Sequence, residues 1–361
     1  MKTPPGRRRP LGPRLALGAL LAVVVLAAAH AALWRYMASQ LEQGLATWTQ
    51  VRRAQGWRVE HAPPLRGGWP FSATLSLATL RIQGGGATLP GGLVYTSEGV
   101  VLRVTLPRLD RLRVELHGPQ RLRLGEAEFP FVADSLVAIL PLEQDTPPRE
   151  AEVLAERLRV GTPGGALEVR TGRLTVEGSS SATEAEPALA LGVALEGVDL
   201  PAAPAGQAGL AFGRRVASLG ADLALTGPVP PGRQPVTRAE AWRDGGGTLE
   251  LRSFALRWGP VGAQAAATLA LDDALQPMGA GTLRLAGAAE ALDALAEAGL
   301  VGRRAAGTAR AVLPLLSRPA ADGTGPEVEV PFTLEDRTLA VARIPVTRLA
   351  PWTWPSPDLG R

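Results

Sequence analysis

Aromatic residues make up only 4% of this chain, so the rings at Trp69, Phe71, Trp242 and Trp258 are the side chains whose chemistry stands out. Set among Gly and Pro turns, they could line an apolar groove for a hydrophobic ligand, or plug the core and cap the ends of a sheet. Other chemistry has less to work with. The chain has no cysteine, which removes disulfides, thiolate metal ligands and a Cys nucleophile. Of three histidines, His30 falls in an apolar run, leaving only the distant His61 and His117. No Gly-x-Ser-x-Gly elbow is present, and Lys2 is the one lysine, so a Walker-type phosphate loop lacks its Lys. Gly84-Gly85-Gly86 and Gly245-Gly246-Gly247 read as turns, and Asp272-Asp273 offers too few oxygens for a divalent ion. A pair of carboxylates could hydrolyse glycans, but that chemistry depends on a separation in space. Neither a catalytic set, a metal nor a cofactor is expected.

The elements that would position these residues begin with the N-terminus. Lys2, Arg7, Arg8, Arg9 and Arg14 precede an uncharged apolar run, Leu15 to Leu33, of about the length that crosses a bilayer core. Basic residues are retained on the cytoplasmic side, so the remainder is expected outside the cytoplasm. A cleaved secretory signal is the alternative, because Ala29-His30-Ala31 has the small-x-small form of a cleavage site. Against cleavage, helical patterning continues through Trp34, Met37, Leu41, Leu45 and Trp48 at steps of three and four. Trp34 and Tyr36 fall where such a helix would leave the membrane. The formal net charge of +4 owes itself to the five N-terminal basic groups, so no nucleic-acid partner is expected.

Beyond residue 56, 42 Gly and 32 Pro in the whole chain leave little room for long helices, and period-two alternation dominates. Arg111 to Leu116 and Arg121 to Leu124 alternate apolar and charged residues, with His117-Gly118-Pro119-Gln120 as the turn between them. Leu158 to Val160, Leu167 to Val169 and Leu174 to Val176 read as a meander turning at Thr162-Pro163-Gly164-Gly165 and Thr171-Gly172. The stretches 178–187, 201–209 and 227–235 read as loops. A helical piece, Val236 to Arg243, precedes a hairpin of Thr248 to Trp258 and Val261 to Leu271. Another strand, Gly281 to Ala286, leads to helical patterns over 288–300 and 303–316. Val328 to Leu334 and Leu339 to Val346 should pair across residues 335–338.

The expected architecture is therefore mainly β, a β-rich α+β fold. A large curved antiparallel sheet with two or three short helices follows one N-terminal transmembrane helix. The expected divisions are a cytoplasmic basic tail (1–14), a transmembrane anchor (15–34), a membrane-proximal helix (35–56) and a periplasmic β-rich domain (57–361) with a seam around 178–235. Strands such as Ala265 to Leu271 lack a polar face, so the sheet needs cover on both sides. Either the helices over 288–316 supply it, or a concave apolar face holds a ligand.

Gly67-Gly68-Trp69-Pro70-Phe71, Trp242-Arg243-Asp244-Gly245-Gly246, Trp258-Gly259-Pro260, Leu271-Asp272, Gln276-Pro277 and Gly299, in that order, resemble domain of unknown function 2125. This is a family of membrane-anchored envelope proteins from Gram-negative bacteria. The family closes with an Asp-Gly turn and a Gly-Pro-Ile-Pro segment, where this chain has Asp336-Arg337 and Ala342-Arg343-Ile344-Pro345, leaving the geometry of the last hairpin open. The resemblance carries over no catalytic residue. Its anchor and long β-domain look like a distant version of the AsmA-type envelope proteins, by architectural analogy alone. Three functions are expected in order. The first is a non-enzymatic, single-pass inner-membrane protein whose periplasmic sheet binds or shields lipid or another hydrophobic envelope component, with Trp69, Phe71, Trp242 and Trp258 in the groove. The second is an assembly scaffold recruiting envelope proteins by strand addition, and the third a carboxylate-dependent glycan hydrolase.

Overall fold

A 43-residue helix, α1 (Gly12–Ala54), opens the computed structural model. The structure describes residues 12–85, 92–142, 150–179, 182, 186–201, 209, 211–230, 234–319 and 326–354. Lys2, Arg7, Arg8 and Arg9, and much of the loops read at 178–187, 201–209 and 227–235, lie outside them. Ala and Leu dominate the helix, and no Pro interrupts it after Pro13. It ends at Gly56, which takes the left-handed conformation (φ 86°). Trp57 N donates to Arg52 O and Gly56 N to Arg53 O, the paired bonds that satisfy the last carbonyls of a helix.

The rest is one antiparallel sheet of nineteen described strands. β1 (Arg58–His61), β2 (Leu65–Gly67), β3 (Ser72–Leu77) and β4 (Leu80–Gly84) form its first edge. The long β5 (Leu93–Thr105) takes β4 along its first half and β3 along its second, on the same side. β6 (Arg108–Leu124) lies on its other side and pairs in turn with β7 (Ala127–Val132) and β8 (Ser135–Pro141), both of which pair with β9 (Glu150–Thr162). From there chain order is spatial order: β10 (Gly165–Gly178), β11 (Pro187–Asp199), β12 (Arg215–Thr226), β13 (Leu249–Trp258), β14 (Val261–Leu271) and β15 (Pro277–Ala286). β17 (Pro326–Glu335) pairs with β15, and on its far side with β16 (Ser317–Pro319) and β18 (Thr338–Val341), which carries β19 (Ile344–Arg348). The strands β10 to β13, which flank the described residues of 178–235, pair in succession. An open sheet this wide must curl, because each strand adds a right-handed twist to the last.

Two of the turns expected from sequence are not turns. His117-Gly118-Pro119-Gln120 lies inside β6, where Glu98 of β5 is opposed by two residues, so the extra residue bulges and the strand runs on. Thr171-Gly172 lies inside β10, paired to β9 on one side and β11 on the other. In both places ladders to two neighbours outweigh the local preference for a turn.

Three shorter helices among the described residues are α2 (Pro235–Asp244), α3 (Ala288–Glu297) and α4 (Arg303–Leu316). α3 buries no residue, and α3 and α4 are tied to each other by the pair Arg310–Asp293. They give the sheet little of the cover expected of them. Most of the cover comes from α1, whose second half packs across β1, β3, β4, β5 and β6. Met37, Ala38 and Leu41 form one buried cluster with Ala73 and Val104, and Leu45 and Trp48 pack against a second built on Val59, Leu77, Leu80 and Val100. Each Met, Leu or Val among them taken from water contributes about 1.5–3 kcal/mol. A third cluster, Val169, Val198 and Val216, lies far along the sheet.

Candidate functional site

Between the second half of α1 and the first strands lies a cavity of about 800 Å³. Its helix wall is Leu33, Met37, Leu41, Leu45 and Trp48, one stripe at steps of three and four, joined by Gln40 and by Gly44. Its sheet wall comes from alternate residues of adjacent strands, such as Leu102 and Val104 of β5 and Leu112, Val114 and Leu116 of β6. The alternation read over 111–116 is what places these on one face, with Arg111, Arg113 and Glu115 on the other. From Leu33 to Trp48 the helix advances about 22 Å at 1.5 Å per residue. That length is more than the roughly 15 Å of one bilayer leaflet's hydrocarbon.

Among the described residues the lining holds no Asp, Glu, His, Lys or Arg. Its polar groups are Tyr36 and Gln40 on the helix, Tyr95 on β5 and the Trp48 indole. Tyr95 marks the end near the β5–β6 bulge, where its hydroxyl donates to Gln120 Oε1 at 2.7 Å. Gln120 is buried and spends its amide on His117 O (3.0 Å) and Gly118 O (3.2 Å), so its hydrogen bonding is complete. Burial pushes the Tyr95 phenol above its usual 10.0, a contribution that a hydrogen bond with Ser97 reduces. It is therefore neutral at physiological pH. At the opposite end Leu33, Tyr36, Leu109 and Leu142 are exposed, as are Gln40 and Gly44 along the helix flank, and the cavity opens on that side. Such a surface can solvate an apolar chain and orient one polar group at the Tyr95 end.

Polar ties fix α1 on the sheet. Trp34 Nε1 donates to Ser72 O (2.9 Å), Arg53 donates to Val59 O (2.6 Å), and Glu42 pairs with Arg66. Gly44 faces open space, with no atom within 4 Å of where a Cβ would stand.

Of the four aromatic residues singled out from sequence, the structure brings two together. Trp69 and Phe71 sit in the β2–β3 loop beside α1, with Trp69 edge-on to His30 (4.9 Å) and Trp34 (5.9 Å). Trp242 and Trp258 are elsewhere, near opposite ends of β13. Trp242 donates to Thr226 O (2.9 Å) and lies flat on Gly247, where a Cβ would come within 2.2 Å of the indole. Trp258 donates to Gly213 O (2.7 Å) and meets Phe212 at 5.6 Å. None of the four is in the lining of the large cavity. Aliphatic residues make that lining, and sequence reasoning directed at aromatics passed them over. The stripe from Trp34 to Trp48 was the available signal, since an apolar helix face outside a membrane needs something to lie on.

A second hollow, of about 350 Å³, is lined by Arg157, Arg159, Glu168, Arg170, Asp199 and Arg215. Its Arg215–Asp199 pair closes at 2.8 Å, and the hydrogen bond from Arg215 holds the Asp199 carboxyl below its usual range. Helix α1 from Ala16 contains a window of mean hydropathy 2.4, none of it buried, long and apolar enough to cross a membrane.

The profile of a family described as an uncharacterized protein conserved in bacteria (DUF2125) matches residues 34–350. No curated protein matches the chain.

Proposed function

We propose, on the premise that this chain belongs to the bacterial DUF2125 family, that it is a single-pass inner-membrane protein whose periplasmic sheet takes lipid acyl chains into the cavity beneath α1. The observation that carries the proposal is the cavity itself, apolar along about 22 Å, free of ionisable side chains other than tyrosine among the described residues, and open beside Leu33 and Tyr36 where the exposed apolar half of α1 ends. Apolar surface left to water costs about 25 cal/mol per Å², and monomers seldom leave a large contiguous patch bare. An acyl chain is long, flexible and apolar, and could enter from the bilayer without crossing water. Retention of the anchor is supported by the continuity of α1. Cleavage after Ala31 would cut mid-helix, separating His30 from its hydrogen bond to Pro70 O (2.8 Å).

The test uses the full chain in vesicles doped with a phosphatidylethanolamine bearing a diazirine on its acyl chain. Irradiation should label Val114 and Leu116 on the sheet as well as α1. Gly44→Trp, which projects a ring into the cavity from a position with free space, should cut the sheet labelling at least about fivefold while leaving the helix label. Label confined to residues 16–36 would sink the proposal.

A second reading, an assembly scaffold, is favoured by β19. Among the described residues its outer side carries no partner strand, and Ile344 and Val346 are exposed. In-cell crosslinking from Val346 that recovers a stoichiometric envelope protein would support it.

A further inference from the structure

We infer that the β2–β3 loop is a second membrane contact: Trp69 and Phe71 sit in the bilayer interface and hold the open end of the cavity against it. The inference rests on the membrane span proposed above but not on the cavity's being occupied. Leu17, Leu20, Leu21 and Val23 through Leu26 are all exposed, so along that stretch no described residue covers α1. Protein cover begins at His30, and the group that supplies it is this loop. His30 Nε2 donates to Pro70 O at 2.8 Å, and Trp34 Nε1 to Ser72 O at 2.9 Å. His30 stands about 4.5 Å below Leu33, the last residue of the apolar run, at 1.5 Å per residue. Its ring is polar at a depth where water is scarce, and the loop brings a carbonyl down to satisfy it.

The loop's own side chains are suited to that depth. Trp69 is 53% exposed and Phe71 75% exposed, although both are among the chain's few aromatics. Two large rings left open to water in a position tied to the end of an apolar span match the preference of amphipathic rings for the headgroup level. Backbone connections carry the same constraint to the cavity mouth. Leu106 N, in the β5–β6 turn, donates to Phe71 O at 3.1 Å, and Leu109 just beyond it lines the opening. A loop seated in the interface therefore presses the mouth onto the bilayer surface. The occupant committed to is bilayer lipid, because the exposed rings continue the exposed face of α1 and no charged side chain lies between Trp69 and Ser72.

The chain has no cysteine, so single-Cys labels can be placed cleanly. The full chain would carry an environment-sensitive fluorophore at Phe71→Cys, or separately at Trp69→Cys. Each would be reconstituted in phosphatidylethanolamine–phosphatidylglycerol vesicles containing lipids with a nitroxide near the headgroup or at mid-chain. Leu21→Cys reports on the span, Tyr36→Cys on the interface and Ile344→Cys on a residue 66% exposed at the far end of the sheet. The expected result is headgroup-nitroxide quenching at positions 69 and 71 at least about twofold above that at 344 and close to that at 36, with mid-chain quenching at 21. If 21 is quenched but 69 and 71 behave like 344, the loop contact is overturned and the span survives. If 21 is also unquenched, the inference falls together with the anchor.

Discussion

Glu115 sits on the face of β6 turned away from the cavity, only 16% exposed, and accepts from Arg103 at 3.0 and 3.2 Å and from Arg113 at 3.1 Å. Burial raises its carboxyl, but the hydrogen bonds and charges of the two guanidinium groups outweigh that and hold it below its ordinary 4.5. A carboxyl depressed on folding adds stability above its unfolded value, and loses it as pH falls through the folded one. Glu115→Gln should therefore unfold about 1–2 kcal/mol more easily at pH 7, and the gap should close as pH is lowered below about 4.5, as read by denaturant titration across pH. A constant gap down to acid would refute the assignment. The closing hairpins show residue chemistry yielding to context. Asp336 (φ 48°), Arg337 (φ 63°), Ala342 (φ 50°) and Arg343 (φ 67°) adopt left-handed turns without glycine, each at a cost of about 1–2 kcal/mol. These residues close two tight turns, the second of which splits the expected strand 339–346 into β18 and β19.

At the scale of elements, α1 carries the chain's one described buried polar atom lacking a partner, Thr49 Oγ1. An unpaired buried hydroxyl loses its water without replacement, whereas a valine of the same shape does not. Thr49→Val should stabilise the protein by about 1 kcal/mol in thermal or chemical unfolding, minus a few tenths for helix propensity. Destabilisation would mean the hydroxyl has a role not visible in its contacts. The helices at 235–244, 288–297 and 303–316 and the hairpin at 258–261 agree with the periodicity read from the chain, since caps, Gly and Pro act locally. His117–Gln120 and Thr171–Gly172 were misjudged because a two-sided ladder is a property of neighbours far along the chain, which no local window contains.

For the whole molecule, order should follow burial. The first strands under α1 hold the fully buried Leu75, Val59, Val100 and Ser97, while α3 has no buried residue. Amide hydrogen exchange of the full chain should be at least about a hundredfold slower in β3, β5 and β6 than in α3 and α4. Equal protection in both would mean the sheet and its outer helices open as one unit. Composition and period alone determined an N-terminal apolar helix and a mainly antiparallel β remainder, because both are written in spacings of a few residues, while the family was legible only as a resemblance of short motifs in order. Only the tertiary structure decided where the cavity lies. Its walls draw on α1 from Leu33 to Trp48 and on strands from Leu77 to Leu142, and a helical stripe says that a face is apolar but not which strands, thirty to a hundred residues away, will fold against it and how much space they leave.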